Sequence, residues 1–105
     1  MEVTKRERGL LLVMIEIDPT HEDDFNRWYR EEHYPERMAC PGFLSGKRFL
    51  ALEGEPKYLA IYELESPAVL ESPEYRKIAG PSEWTQRLRP HFVKHIRNVY
   101  VEIAP

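Results

Sequence analysis

Residues 25–49 read FNRWYREEHYPERMACPGFLSGKRF, and this stretch decides the predicted fold because a helical pattern gives way to a strand pattern within it. Phe25, Tyr29 and His33 are spaced at i, i+4 and i+8, which places them on one face of a helix. Trp28 joins that face from the position before Tyr29. An imidazole at the end of an aromatic stripe is typical of a small-molecule site, where a few polar groups meet an apolar surround.

The ends of this helix are predicted from the residues that flank the aromatic stripe. Thr20 is expected to cap the helix, with Asp23 at the third helical position, so that the helix begins near His21. Tyr34-Pro35 is expected to end it, because proline lacks a backbone N–H and restricts the residue before it.

The rest of the chain alternates between strand and helix patterns. Strands are predicted at residues 9–17, 43–52, 57–64 and 92–103. Gly46 indicates a bulge or a close backbone approach within the second strand. A second helical region begins after Ser72 and is broken at Gly80-Pro81, which predicts a pocket rim or a lid. The order predicts an α+β, ferredoxin-like split βαβ, with a four-stranded antiparallel sheet and the helices on one face.

The composition is that of one small domain. We expect a single domain over residues 9–105, preceded by a flexible tail over residues 1–8. Fifteen Lys and Arg against 18 Asp and Glu give a net charge of −3, which argues against a nucleic-acid partner. Cys40 is the only cysteine and fits a reducing compartment. No apolar run has the length of a membrane span, so we expect a soluble, cytoplasmic protein without a membrane partner.

One face of the predicted sheet has no helix to cover it. Apolar residues alternate along every strand, so this open face also carries apolar side chains. Such a face has to be buried, and a second copy of the same chain can cover it symmetrically. The sequence therefore predicts a homodimer whose two sheets pack face to face.

Several motifs resemble those of a known group, the EthD-like branch of the dimeric α/β-barrel superfamily. They are Trp28-Tyr29, His33-Tyr34-Pro35, Pro41-Gly42-Phe43, Arg48, YLAIYEL at residues 58–64 and SPEY at residues 72–75. The resemblance covers most of the chain and implies a dimeric α/β barrel with a pocket between sheet and helices. It also implies that His33 is an acid/base residue. Relatives in that superfamily include cyclases, cofactor-free monooxygenases, isomerases, decarboxylases and heme-degrading enzymes, so the reaction stays open.

Three residues are the catalytic candidates. His33 titrates near neutral pH and can move a proton, although a histidine at a helix end also caps carbonyl groups. Tyr62 lies on a central predicted strand and can donate its hydroxyl to a developing oxyanion. Arg48 can hold a carboxylate or enolate oxygen, and a surface ion pair is the alternative for it. That surface ion pair is the expectation for Arg37.

Five further residues are candidates for substrate contact. Aromatic rings can stack on a planar substrate, and their hydroxyl and imidazole groups can orient it; packing in the core is the alternative for each. The five candidates are Trp28, Tyr29, Tyr34, Trp84 and His91.

Cofactor and metal motifs are missing from the sequence. It contains no G-x-G-x-x-G motif, no P-loop and no flavin fingerprint, so no nucleotide cofactor is expected. His91, His95 and Arg97 do not have the spacing of a metal site. Cys40 is expected to be an inert thiol, because a nucleophile needs an adjacent base and a lowered pKa.

These patterns support two main functional hypotheses. The first is a small cofactor-independent enzyme that performs acid/base chemistry on an aromatic, polyketide-like or lactone small molecule. The second is a non-catalytic dimeric protein that binds a small ligand or responds to stress. Heme binding is a third possibility, which a Soret band on titration would support.

Overall fold

The computed structural model describes residues 7–105 and shows one four-stranded sheet. Its strands are β1 (Gly9–Ile17), β2 (Phe43–Leu50), β3 (Tyr58–Leu64) and β4 (Phe92–Val101). They lie in the order β2-β3-β1-β4, and all three pairings are antiparallel. This is the predicted ferredoxin-like arrangement. Of the predicted flexible tail, residues 1–6 lie outside the described residues.

The helices cover one face of this sheet. They are α1 (Glu22–Trp28), α2 (Tyr34–Met38), α3 (Pro73–Ala79) and α4 (Glu83–Leu88), and a π turn over Tyr29–His33 joins α1 to α2. Short 3-10 turns lie at Pro19–His21, Pro67–Glu71 and Arg89–His91. Ser72 and Ser82 cap α3 and α4 by accepting hydrogen bonds from Tyr75 N and Thr85 N, as the serine-led starts predicted.

The predicted cap of the first helix was wrong. Asp18, and not Thr20, is the capping residue: its Oδ1 accepts hydrogen bonds of 2.9 Å from the Thr20 backbone N–H and hydroxyl. This cap serves the short 3-10 turn, and α1 follows at Glu22 with acidic residues in its first turn. The start near His21 was correct to within one residue.

The predicted end of the first helix was also wrong, because the helix passes through Pro35 and ends at Met38. In the π turn the Tyr34 N–H donates to the Tyr29 carbonyl, five residues back. A proline in a regular helix clashes with the carbonyl four residues before it, here that of Glu31. A wider turn immediately before Pro35 relieves that conflict, and we attribute the π turn to this proline.

The core lies between the helices and the inner face of the sheet. β1 and β3 are in register so that Leu11 lies opposite Tyr62, and both side chains are buried. Phe25 and Leu64 have no exposed surface. The core is completed mainly by Ile15, Ile17, Trp28, Tyr29, Phe43, Ala60, Tyr75 and Leu88.

The outer face of the sheet is apolar and uncovered in the single chain. Phe49, Ile96 and Tyr100 point to this side and are 47%, 39% and 46% exposed. Leu10, Leu12, Met14, Leu59 and Ile61 share the face. The face predicted from the strand alternation is therefore present.

Gly42, just before β2, and Gly46, within β2, are required for different reasons. Gly42 has φ +95°, a conformation that side chains rarely adopt, and a Cβ there would overlap Val69. Side chains of α2 pack directly against the backbone of Gly46. The Tyr34 hydroxyl donates a hydrogen bond of 3.0 Å to the Gly46 carbonyl, and a Cβ at this position would lie 2.9 Å from Met38 Sδ. The close approach expected at Gly46 is confirmed.

Gly42→Ala should lower the free energy of unfolding by about 2 kcal/mol or more, because left-handed strain and overlap with Val69 act together. Gly54→Ala is the matched control, since Gly54 has φ +85° but has open space around it. It should lose only about 1 kcal/mol. Urea denaturation followed by tryptophan fluorescence measures both, and equal losses would show that the Val69 overlap is relieved without a penalty.

Candidate functional site

A cavity of about 280 Å³ lies between the helices and the inner face of the sheet. Leu11, Val13 and Ile15 of β1 form its apolar floor. Trp28 and the π turn form one wall. The rim includes residues 78–82, where α3 breaks off before α4 begins, as the Gly80-Pro81 break predicted.

The edge strand β4 closes one side of the cavity through an irregularity in its pairing. The register with β1 shifts between Glu16 and Ile17, so that Ile17 lies opposite Phe92 while Glu16 lies opposite Lys94. As a result both Phe92 and His95 line the cavity, with ring centroids 5.4 Å apart. A bulge that re-aims a side chain in this way is common beside functional sites.

His33 faces the cavity from the π turn. Its ring lies 4.3 Å from the Trp28 ring and 4.9 Å from the Tyr29 ring, centroid to centroid. Among residues 7–105, no group forms a hydrogen bond with the His33 imidazole. The imidazole nitrogens are not shut off from the cavity by surrounding atoms. The imidazole nitrogens are therefore free to bond a molecule in the cavity.

The surroundings keep His33 neutral. Loss of hydration lowers its pKa well below the ordinary value, and the charges of Arg37, Arg48 and Arg89 lower it further. A neutral imidazole at physiological pH can accept a proton.

Tyr62 presents a protonated hydroxyl in the wall of the same cavity. Its oxygen lies 2.7 Å from the Tyr29 hydroxyl oxygen, and both rings are buried. Burial raises the pKa of Tyr62 strongly, and the neighbouring Tyr29 raises it further. Burial also raises the pKa of Tyr29. Only one hydrogen is used in the bond between them, so the pair can donate a second hydrogen bond towards the cavity.

Arginine side chains surround the cavity. Arg37, Arg89 and Arg97 all line it. The Arg37 side chain is only 11% exposed, and its Nη1 lies 3.8 Å from Glu36 Oε1. The expected ion pair of Arg37 is present, but its expected surface position was wrong, because α2 continues past Pro35 and carries Arg37 into the cavity wall.

Arg48 is not brought to the cavity. Its Nη2 donates to Asn26 Oδ1 at 2.9 Å, and its guanidinium stacks 4.0 Å from the centroid of the Tyr29 ring. It lines a separate crevice that includes Phe25 and Tyr58. The geometry therefore gives no support to the predicted contact between Arg48 and a substrate oxygen.

Two of the five predicted contact residues belong to the aromatic wall. Trp28 lines the cavity, and its Nε1 donates to Glu32 Oε2 at 3.0 Å and to Thr85 Oγ1 at 3.1 Å. These bonds hold the indole in place. Tyr29 lies directly behind and reaches the cavity only through Tyr62.

The other three predicted contact residues lie elsewhere. Tyr34 packs over Gly46. The Trp84 indole N–H donates to Asp24 Oδ1 at 3.2 Å, outside the cavity lining. His91 stacks on His21 with ring centroids 3.5 Å apart, and it does not line the cavity either. The structure does not bring these three side chains to the site.

A family model described as a domain of unknown function, DUF4286, matches residues 9–102. The chain belongs to the DUF4286 family. No curated protein matches the sequence of this DUF4286 domain.

Solved structures share the fold of the DUF4286 domain at low sequence identity. An EthD family protein from Bacillus halodurans is 12% identical with a TM-score of 0.64, over 92% of this chain and 99% of that one. A candidate antibiotic biosynthesis monooxygenase from Bordetella bronchiseptica is 18% identical with a TM-score of 0.67, over 94% and 98%. A dimeric ferredoxin-like protein from an uncultured marine organism is 14% identical with a TM-score of 0.68, over 99% and 91%. These matches confirm the predicted fold and, at the level of the fold, the resemblance to EthD-like proteins.

Three cavity residues of the DUF4286 domain were not identified from the sequence: His95, Arg97 and Arg89. The alternation of His95 and Arg97 along one strand was the available signal, because i and i+2 share a face. Arg89 is carried by the turn that follows α4, and nothing in the sequence marks its side chain as facing a cavity.

Other kinds of site find no support in the described part of the DUF4286 domain. Among residues 7–105, no three His, Cys, Asp or Glu side chains form a group that could hold a metal ion. Cys40 is buried, and burial raises the pKa of its thiol. No helix in the described range has the length and apolar character needed to cross a bilayer.

The depressed pKa of His33 should make the domain less stable in mild acid. The unfolded chain binds a proton near pH 6.5 whereas the folded chain resists it, so the free energy of unfolding should fall as pH drops below about 6.5. His33→Gln should flatten this dependence, and His21→Gln, a change outside the cavity, should leave it in place. Urea denaturation at several pH values measures the slope. An unchanged slope in His33→Gln would contradict a neutral, desolvated His33.

Proposed function

We propose that this DUF4286 domain is a small cofactor-independent enzyme that moves a proton on an aromatic, polyketide-like or lactone molecule. The observation that carries the proposal is His33: a desolvated, neutral imidazole without a hydrogen-bond partner among the described residues, facing a largely apolar cavity. Perturbed titratable groups in clefts are enriched at catalytic sites.

The surrounding groups supply the other parts of such a step. The imidazole of His33 takes a proton from an acidic C–H or O–H group of the substrate, and the charge moves to a substrate oxygen. A hydrogen bond from the Tyr62–Tyr29 hydroxyl pair stabilises that oxyanion. Returning the proton to another atom gives isomerisation, while intramolecular attack by the carbanion gives cyclisation. Trp28 offers a flat face to a planar ring.

The structural neighbours support this class of chemistry without specifying it. One is a candidate monooxygenase of antibiotic biosynthesis and another is an EthD family protein. Their low identity limits the comparison to the fold, so the reaction is argued from the cavity itself.

A non-catalytic binding role is the second candidate, and one observation favours it. Catalytic histidines are usually oriented by a carboxylate or carbonyl that bonds the second ring nitrogen. Within residues 7–105, His33 is held by aromatic contacts and by no such group. Under this alternative the domain holds its ligand without turnover. Heme is a testable ligand of this kind, and a Soret band that depends on the cavity would favour it.

The oligomeric state belongs to the same proposal. The outer sheet face carries a broad set of apolar side chains, including Phe49 and Ile96. A neighbour that shares the fold is described as a dimeric ferredoxin-like protein. We infer a homodimer in which this face packs against its own copy, which buries the apolar groups symmetrically.

Proton abstraction can be measured without knowing the natural substrate. A panel of small aromatic ketones and lactones in D₂O should show protein-dependent exchange of an acidic C–H, followed by NMR. His33→Gln should slow that exchange about 100-fold or more, because a positioned acid/base group typically contributes that much. His21 lies outside the cavity, so His21→Gln should retain the exchange rate of the unmodified domain. Exchange that persists in His33→Gln would remove His33 from the mechanism, and saturable binding without exchange would favour the second candidate.

Replacing an apolar group of the outer face by a charge should break the dimer. Ile96→Glu should give a monomer by light scattering at micromolar concentration, because a buried, unpaired carboxylate opposes association. Leu52→Glu is the control, since Leu52 is 95% exposed in the loop after β2 and should leave the dimer intact. A monomeric mass for the unmodified chain would contradict the homodimer directly.

A further inference from the structure

We propose that the ligand of this cavity is an organic anion, a small aromatic or polyketide-like carboxylate, whose carboxylate is held by Arg37, Arg89 and Arg97. The inference rests on the proposed function for the location of the site and adds the charge of the molecule that occupies it. Three observations support it: the balance of charge around the cavity, the position of Arg37, and the separation of apolar and cationic surfaces.

The charged groups that line the cavity are predominantly cationic. Three guanidiniums are opposed by one carboxylate, that of Glu36, whose side chain is 41% exposed. Glu32 is nearby, but its Oε2 already accepts hydrogen bonds from Trp28 and Ser82. An arginine never loses its proton in a protein, so the excess positive charge persists at any physiological pH. The chain therefore does not neutralise this charge from its own described residues.

Arg37 is the most informative of the three arginines. Its side chain is 89% covered by the protein, yet its closest acidic contact is the 3.8 Å approach to Glu36. Burying a charge with a weak partner is unfavourable, and a ligand carboxylate would relieve that penalty. A guanidinium also presents a planar pair of donors that matches the two oxygens of a carboxylate.

The apolar part of the cavity defines the rest of the molecule. Leu11, Val13 and Ile15 form the floor and Trp28 forms a wall, which suits a flat hydrophobic body. At about 280 Å³ the cavity is near the lower end of the range for ligand sites, so one or two fused rings fit better than a nucleotide. A single carboxylate also matches a site in which Glu36 would repel a more highly charged group.

Such an anion would change the behaviour of His33. Desolvation is the largest cause of its lowered pKa. The charged groups that lower the pKa further are Arg37 of α2, Arg48 of β2, Arg89 of the turn after α4, and His95 of β4. A carboxylate against Arg37 and Arg89 offsets part of their positive potential. The imidazole then accepts a proton more readily when substrate is bound than when the cavity is empty, which couples anion recognition to the proposed proton transfer.

The test compares an acid with its neutral isostere, 2-naphthoate with 2-naphthamide. Isothermal calorimetry, with the Trp28 Nε1–H resonance as a second readout, should show that the acid binds at least about tenfold more tightly. Arg37→Gln and Arg97→Gln should each reduce that ratio towards one, with the amide affinity retained. Arg87→Gln is the matched control, because Arg87 is exposed on α4 and pairs with Asp24 outside the cavity. Circular dichroism of each variant confirms the fold.

Two results would overturn the proposal. One is an acid that binds no more tightly than the amide, including the absence of saturable binding by both. The other is an acid preference that survives Arg37→Gln, Arg89→Gln and Arg97→Gln. Failure of the proposed function would be visible separately: an arginine-dependent preference for the acid without proton exchange supports this inference and contradicts catalysis. Proton exchange on neutral ketones, without a preference for the acid over the amide, supports catalysis and contradicts this inference.

Discussion

The wide turn over Tyr29–His33 is the constraint on which the site depends. In a turn of this width residues five apart come to lie over one another, and so the His33 ring packs on Trp28 at 4.3 Å. A regular helix would rotate His33 by about 100° relative to that position. The turn also allows the helix to continue past Pro35, which brings Arg37 into the cavity wall. The turn before Pro35 thus helps to position both the His33 imidazole and the Arg37 guanidinium.

The sheet supplies the environment that gives these groups their properties. The apolar floor of β1 and the buried Tyr62 remove water from around His33, which favours the neutral imidazole. The same lack of water leaves Arg37 without adequate compensation for its charge. The exclusion of water from this cavity therefore explains both the neutral imidazole of His33 and the poorly compensated charge of Arg37. Together they suit a substrate that carries a negative charge and loses or gains a proton nearby.

Much of the fold followed from local patterns in the sequence. The alternation along the strands predicted the sheet, and the aromatic spacing placed Phe25, Trp28 and Tyr29 on the buried side of the helix. The errors arose where tertiary structure overrides a local rule. Pro35 predicts a helix end unless the preceding turn widens. The direction of the Arg48 side chain depends on its hydrogen bond to Asn26, which lies 22 residues away in the sequence. The inward position of Phe92, which a regular alternation would place on the face opposite to His95, depends on a register shift between β1 and β4 that no spacing in the sequence reveals.

The decisive measurement is a crystal structure of the domain with 2-naphthoate bound. We expect the ring system to lie against Trp28 above the floor of β1. The carboxylate should be within hydrogen-bond distance of Arg37, and a nitrogen of His33 should face the ligand. Naphthoate bound outside the cavity, or bound within it with its carboxylate turned away from the arginines and His33 turned towards solvent, would show that this cavity is not an anion site served by His33.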